Sequence, residues 1–562
     1  MTEDIQDWPR RPWLLAALLG TAGLLIYHIG GGQGPDTRVG WQAAVTAFLF
    51  FGPMALAFTL ERDRWKEPLA FALVAGLVMA GLAWRAVGQG ETYAGEEFGF
   101  IAGIVATGLA LPLFQAGFHR SRWATSYRGI HEHVWSDAIC AAGSLAFVGA
   151  SWLMLLLLSE LFHLLRIDIL RNLIDDGWFG WTWSGAAFGA ALGVLRNELG
   201  IIGTLRRVAM TVLSLLAVPL AAGLALFLVA MAVSGPQVLW EATRSATPVL
   251  LACAAGAWVL ANAILRDEDA GMSGNRVLRI AGLVLVLGIL PLTVFAAISM
   301  GTRVAQHGLS PERLWGLVAI AVAVAYGIAW LVAVARGWKG GEWRERVRRA
   351  NLHLAVVICG VALFLALPIL DFGAISARQQ LARLQSGAVS AEDFDYEALR
   401  WDFGAAGKRA LARLERSRNP TVAKLAREAR TRTMRAYRYG PVEDYTLRLQ
   451  PADPALERLV RDYIRANPWA CQQHCVALDL GAASEGKRRV AIVSGSGFSE
   501  VALPFDPMAP EVAPARPGAP KLTPASRVEV RNVARRQIFV DGRPLGPTIE
   551  DDAPLEGRPP RR

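Results

Sequence analysis

Glu160 and His163 stand three residues apart, so on a helix they share one face, with Asp168 a short step beyond. A Glu and a His so spaced can offer two ligands to a divalent metal. One Glu-x-x-His is half of a di-metal site and no second copy occurs, so polar side chains snorkelling at a membrane boundary are the competing reading. Arg196, Asn197 and Glu198 close the next apolar run, either as a polar cluster facing a helix bundle or as its exit into water. Ionisable groups at a membrane boundary are costly to keep and commonly functional. Glu160, His163, Asp168, Arg196 and Glu198 therefore form the candidate polar cluster, with no catalytic residue and no metal set assigned.

Two further groupings carry donor atoms. His131-Glu132-His133 lacks the His-Glu-x-x-His spacing of zinc proteases and reads as a solvated loop before an apolar run. Cys471 and Cys475 flank Gln472, Gln473 and His474. A disulfide there would staple a turn, and a metal site with His474 would have three ligands at most. The spacing is not that of a thioredoxin motif. Cys140, Cys253 and Cys359 lie in apolar runs and read as small packing residues. The chain has no Walker A sequence, dinucleotide fingerprint, Gly-x-Ser-x-Gly elbow or acidic calcium loop, and no cofactor is expected.

The elements that must position these groups are apolar. Of 562 residues, 53% are hydrophobic and 19% charged, and 31 of the 58 Lys and Arg fall after Asp371. Mean hydropathy is +0.32. Such a split excludes a single water-soluble globule and a disordered chain. Stretches long enough to cross a bilayer lie near 13–30, 40–60, 68–88, 98–118, 138–160, 181–199, 207–233, 248–265, 278–300, 314–335 and 352–370. The stretch at 181–199 is the weakest, being rich in Gly and Ala. The first reads as a retained helix, since no Ala-x-Ala-like exit follows it. Pro53, Pro112, Pro219, Pro291 and Pro368 fall within these runs, as kinks in packed helices or as breaks around a binding site. Trp13, Trp65, Trp84, Trp123, Trp338 and Trp343 sit at their edges, where an interfacial belt belongs.

Basic residues orient the stack. One alternating set of connections, from Arg10 and Arg11 to the loop at 336–349, holds 20 Lys and Arg; the other holds seven. The positive-inside rule then puts the N-terminus in the cytoplasm and everything after Leu370 outside, in the periplasm of a bacterial inner membrane. The same rule accounts for the net charge of +10 without nucleic acid.

After Leu370 the texture changes. Helical spacing covers 375–386, a capping-box pattern at 390–393 opens a second helix, and amphipathic helices follow at 405–414, 421–437 and 456–466. Alternating, β-branched stretches from Val476 onward read as strands, with a Pro/Ala-rich linker at 507–524. The expected organisation is a transmembrane bundle (1–370), a soluble helical segment (371–470), a small β-rich module (471–546) and a disordered tail (547–562). In fold class this is an all-α polytopic membrane helix bundle of about eleven spans with a C-terminal soluble α+β module.

Two stretches also carry a family resemblance: LFHLLRIDILRNLIDDGWFGWTWSGAAFGAALGVLRNE at 161–198 and ISARQQLARLQSGAVSAEDFDYEALRWDFGAAGKRALARL at 375–414. Together they resemble the bacterial multi-pass proteins grouped as a domain of unknown function, DUF4153, over most of 40–415. The resemblance implies an inner-membrane protein with many helices and a C-terminal extension. It implies no cofactor and transfers no catalytic residue. Three functions stay open: a transporter- or channel-like bundle for a small solute or lipid, an envelope scaffold or signalling protein whose exported module binds a partner, and a membrane-embedded enzyme acting on a lipid-linked substrate. The expected partners are the bilayer itself and an envelope protein for the exported module.

Overall fold

The computed structural model describes residues 8–30, 39–88, 94–235, 246–272, 274–339, 341–432, 435, 445–471, 474–482, 487–494, 497–504, 536–540 and 543–549. They form two compact units, 1–433 and 434–562.

The first unit is helical. Its long helices are α1 (Arg11–Gly30), α2 (Gly40–Thr59), α3 (Lys66–Gly88), α4 (Glu96–Gln115), α6 (Tyr127–Leu164), α8 (Gly177–Asn197), α9 (Leu199–Ser234), α10 (Ala246–Leu265), α11 (Arg276–His307), α12 (Pro311–Gly337) and α13 (Trp343–Ala366). The short helices α5 (Phe118–Ser121) and α7 (Ile169–Asp175) connect them. Large apolar side chains cover the outside: Leu226 is 72% exposed, Leu164 80% and Val233 83%. Such a surface is stable only against hydrocarbon, so the bundle spans a membrane. Among the described residues ten helices are both long and apolar enough to cross it.

The eleventh expected span, α8, is long enough but diluted by Gly and Trp. It runs antiparallel along α1 at very close range. A Cβ on Gly185, Gly189 or Gly193 would collide with Leu19, Leu15 or Pro12, and one on Gly23 of α1 would meet the Trp181 carbonyl. Glycine at every fourth position lets the two backbones approach, which replaces the hydrophobic drive that membranes do not supply between helices.

Several helices outrun their apolar runs. Ser126 caps α6 by accepting from the Gly129 amide, so the helix starts eleven residues before the apolar run at 138. At 38 residues α6 is about 57 Å long, well beyond the ~30 Å hydrocarbon core. Pro53, Pro112, Pro219 and Pro291 sit inside α2, α4, α9 and α11, whereas Pro368 lies past the end of α13.

Four helices follow the bundle: α14 (Phe372–Gln385), α15 (Tyr396–Trp401), α16 (Gly404–Leu414) and α17 (Pro420–Thr431). They share a core of Phe394, Leu399, Phe403, Leu411 and Ala426. The pattern at 390–393 closes a turn rather than opening a helix. Ser390 accepts from the Asp393 amide, and α15 begins only after Asp395 accepts from Ala398. α17 ends at Thr431 instead of continuing to 437, and 436–444 lie outside the described residues. α14 is tied back to the bundle, where Gln380 donates to the His307 and Leu309 carbonyls and Arg383 to that of Gln306.

The second unit is α+β. Strands β1 (Thr446–Gln450), β2 (His474–Ala482), β3 (Arg488–Ser494) and β4 (Gly497–Leu503) form a sheet in that order, and β5 (Arg536–Val540) pairs with β6 (Arg543–Ile549). β1 and β2 are parallel, joined through α18 (Pro454–Ala466); the other pairs are antiparallel. Leu456, Val460, Tyr463 and Ile464 line one face of α18 and pack on Ala477, Val490, Ile492 and Val501. The domain boundary read at 470 is thus displaced, because α18 belongs to the sheet. Asp453 caps α18, and the amides of Leu456 and Ala455 hold its carboxyl below the ordinary range. Of the sequence strands, 527–533 lies outside the described residues, β1 had no sequence counterpart, and β6 runs three residues into the expected tail.

Candidate functional site

The start of α6 carries Tyr127, Arg128, His131, Glu132, His133 and Asp137 before the apolar run begins. Helical geometry sends them to different sides. Tyr127, His131 and Trp135 recur every fourth residue on one face, with ring centroids 5.6 and 6.2 Å apart. Against this face lie single asparagines from two other helices. Tyr127 donates to Asn262 Oδ1 of α10 at 3.2 Å, and Asn351 Nδ2 of α13 donates to the same oxygen at 2.7 Å. Trp330 Nε1, from the buried centre of α12, donates to Asn351 Oδ1 at 2.8 Å, and Asn262 Nδ2 donates to the Trp258 carbonyl. Four helices are thus joined by one chain of hydrogen bonds.

Arg348, 3% exposed, closes the end of this network. Its guanidinium donates to the Leu265 and Arg266 carbonyls, which the end of α10 leaves without helical partners, and to Asp269 Oδ1 at 2.7 Å. Burial alone would raise the Asp269 carboxyl. Hydrogen bonding to Arg348 and the charges of Arg348 and Arg344 outweigh it and hold the group below its ordinary 3.8.

His131 sits within this arrangement at 4% exposure, with its imidazole beside the Asn262 backbone and neither ring nitrogen in a well-formed hydrogen bond. Asp267, Arg206 and Arg348 are the charged groups acting on it. A buried imidazole without a well-formed hydrogen bond forfeits about 1–3 kcal/mol, so the site demands an explanation.

The other side of α6 faces a second polar group. Asp137 lies beside Gln115 and Arg196, with one carboxylate oxygen buried and unpaired. Arg196 Nη1 donates to the Ala57 carbonyl at 2.6 Å and Gln115 Nε2 to that of Phe58 at 2.9 Å, both in the last turn of α2. Arg11 Nη1 donates to the Arg196 carbonyl. The third side is solvated, with Arg128 3.2 Å from Glu268 and Glu132 3.3 Å from Arg206.

The five residues of the sequence cluster do not meet. α8 is antiparallel to α6: Gly143 packs by Leu195, while Trp152 and Trp183 donate to Ser184 and Ser151. Glu160 stands seventeen residues beyond Gly143, about 25 Å along the helix from the level of Arg196. At that far end His163 Nδ1 is 2.6 Å from Asp168 Oδ1, with Glu160, His163 and Asp168 all exposed. At the near end Arg196 is an anchor for α2, and Glu198, exposed, sits at the α8–α9 joint without a capping hydrogen bond. Among the described residues no three His, Cys, Asp or Glu are grouped to hold a metal.

The reading of His131-Glu132-His133 as a loop is corrected: the triplet is helical, with His131 buried and its imidazole about 160° around the helix from that of His133. In the second unit Cys471 and Cys475 are disulfide-bonded with Cα atoms 5.7 Å apart, and His474 Nδ1 pairs with Thr446 Oγ1 instead.

These features define a membrane-spanning helical protein with a buried polar junction near one end of its longest helix. The family model described as Domain of unknown function (DUF4153) matches residues 43–414, about two thirds of the chain, and the protein belongs to that family. No curated protein and no solved structure matches it.

Proposed function

We propose that the bundle is a transporter-like protein for a small solute, linked to proton movement through the polar start of α6. The observation that carries this reading is His131, a buried imidazole beside the Asn262 backbone with no well-formed hydrogen bond at either nitrogen. A group kept at such cost gains its partner in another state, and chains of His and Asp inside membrane bundles serve as proton relays. Asp137, six residues along the helix with an unpaired oxygen, supplies a second proton-bearing group. The prolines inside α2, α4, α9 and α11 supply points at which packed helices bend.

The membrane is proposed to be the bacterial inner membrane, with the N-terminus cytoplasmic and residues after Leu370 periplasmic. Support comes from the division of 20 Lys and Arg against seven between alternate connections. The Cys471–Cys475 disulfide favours the same orientation, because disulfides persist in oxidising compartments. It also supports a second reading, in which the exported α+β unit binds an envelope partner.

The test is proton flux into proteoliposomes under an imposed membrane potential, read with an entrapped pH dye. Wild-type protein should exceed protein-free vesicles severalfold, and His131→Phe should fall to their level at equal incorporation. Wild-type flux equal to that of empty vesicles between pH 5 and 8 would end the proton-linked reading.

A further inference from the structure

Away from the α6 junction, α1, α2, α3, α4 and α8 enclose a half-open cavity of about 460 Å³. Its walls are Ile26 of α1, Ala47, Phe50 and Phe51 of α2, and Ala83 and Phe100 of α3 and α4. At one end the lining changes to Gly30, Gln42 and Val87, which lie at the end of α1, the start of α2 and the end of α3. The cavity thus has one polar side chain, Gln42, at the level of the helix termini, Thr46 one turn further in, and a mainly apolar interior beyond. From Gln42 to Phe51 the interior extends nine residues along α2, about 14 Å.

Three occupants compete for this space. Left empty, a cavity of this size deprives its lining of dispersion contacts on one side, and natural interiors rarely keep such voids. Water needs two to four polar partners per molecule, and beyond Gln42 the lining offers only the buried Thr46 hydroxyl and the polar tips of Tyr27 and Trp181 against an otherwise aliphatic and aromatic wall. A hydrocarbon chain meets both conditions. At roughly 30 Å³ per group of water or methylene size, the space holds about fifteen such groups. The lining helices cross the membrane, so the surrounding medium itself supplies such chains.

We propose that this cavity is a lipid-chain site that takes one acyl chain of a bilayer glycerophospholipid, its ester and headgroup at the Gln42 rim and its methylenes against Phe50, Phe51 and Phe100. Small residues shape the site. Ala43 and Ala86, half-buried on facing helices, leave the width that a chain occupies. Larger side chains at these positions would fill it from either wall without touching the α6 junction.

The experiment uses the full-length protein in vesicles of phosphatidylethanolamine and phosphatidylglycerol doped with a phospholipid bearing a diazirine in one acyl chain. Irradiation is followed by peptide mapping. Adducts should concentrate on residues 42–51, on 83–87 and on Phe100, and Ala86→Trp should lower them at least fivefold. Ala43→Leu is a milder second variant, expected to lower them at least twofold, and it keeps the test valid if the Trp variant fails to fold. Leu226→Ala, on an exposed face of α9, should leave them unchanged. The proposal is overturned if wild-type adducts are no denser here than on the outer face of α9. It is equally overturned if both cavity-filling variants elute as wild type and label as wild type. Preferential labelling by a diazirine-bearing polyprenyl phosphate over the phospholipid would replace the acyl chain with an isoprenoid one and overturn the assignment.

Discussion

The two ends of α6 hold similar residues in opposite circumstances. At its start, Tyr127, His131 and Asp137 are enclosed by four other helices, and their partners are polar residues from segments remote along the chain. At its end, Glu160 and His163 point into open surroundings, and His163 is paired only with Asp168 a few residues on. The spacing at the far end looked like chemistry, whereas the near end looked like a loop. Burial reverses the ranking, since a polar group weighs on a fold only where water cannot repair a missing bond.

The sharpest way to break the comparison is Arg348→Ala. It strips the last carbonyls of α10 of their buried donor while Asp269, itself largely exposed, returns to water, so a loss of about 2–4 kcal/mol is expected from the unpaired carbonyls. The readout is the thermal unfolding midpoint in detergent, and a shift no larger than that of a surface variant would show that the junction is not a keystone. Asn351→Leu comes next, because it leaves Trp330 Nε1 without an acceptor and removes one of two donors to Asn262. About 1–3 kcal/mol should be lost in the same assay.

A smaller effect concerns pH. The folded Asp269 carboxyl lies below its ordinary 3.8, so its contribution is present above 3.8 and is lost as pH falls through the lowered folded value. Unfolding midpoints of wild type and Asp269→Asn should therefore differ at pH 6 and converge towards pH 3. A gap that widens on acidification would contradict the pairing with Arg348. Smallest of all, Glu160→Gln and His163→Ala should each stay within about 0.5 kcal/mol of wild type. They should also leave proton flux intact, and a strong flux defect in either would move the functional site to the opposite end of α6.

Much of the bundle was legible because a bilayer demands some twenty apolar residues per crossing and the chain displays them openly. α8, weakest by hydropathy, forms as a helix but is not among the ten apolar enough to cross by composition, and the source of its packing lay in plain view as Gly185, Gly189 and Gly193. Read as an interhelical ladder, that spacing predicts the close contact with α1. The α6 junction was harder. His131 falls before the apolar run, where hydropathy alone reads a loop, although the cap at Ser126 and the four-residue recurrence of Tyr127, His131 and Trp135 are signals of a helix. Asn262 interrupts an apolar stretch and Asn351 stands at the edge of the next one after Arg348 and Arg349, but nothing local pairs two residues 89 positions apart.

In the second unit, α18 and strands β2 to β4 followed from periodicity, yet the parallel addition of β1 did not. A crossover strand pairs at a distance, and its five residues carry no pattern of their own.

The sequence by itself determined that this chain spans a membrane many times, where most helices begin and end, and which family it belongs to. These depend on local composition and on motifs read in order. The tertiary structure alone decided which polar residues are buried together, that Arg196 serves as an anchor while His131 is buried with no well-formed hydrogen bond, and that five helices enclose a cavity. Such features arise from contacts between segments remote along the chain, where antiparallel packing rather than spacing sets which side chains meet.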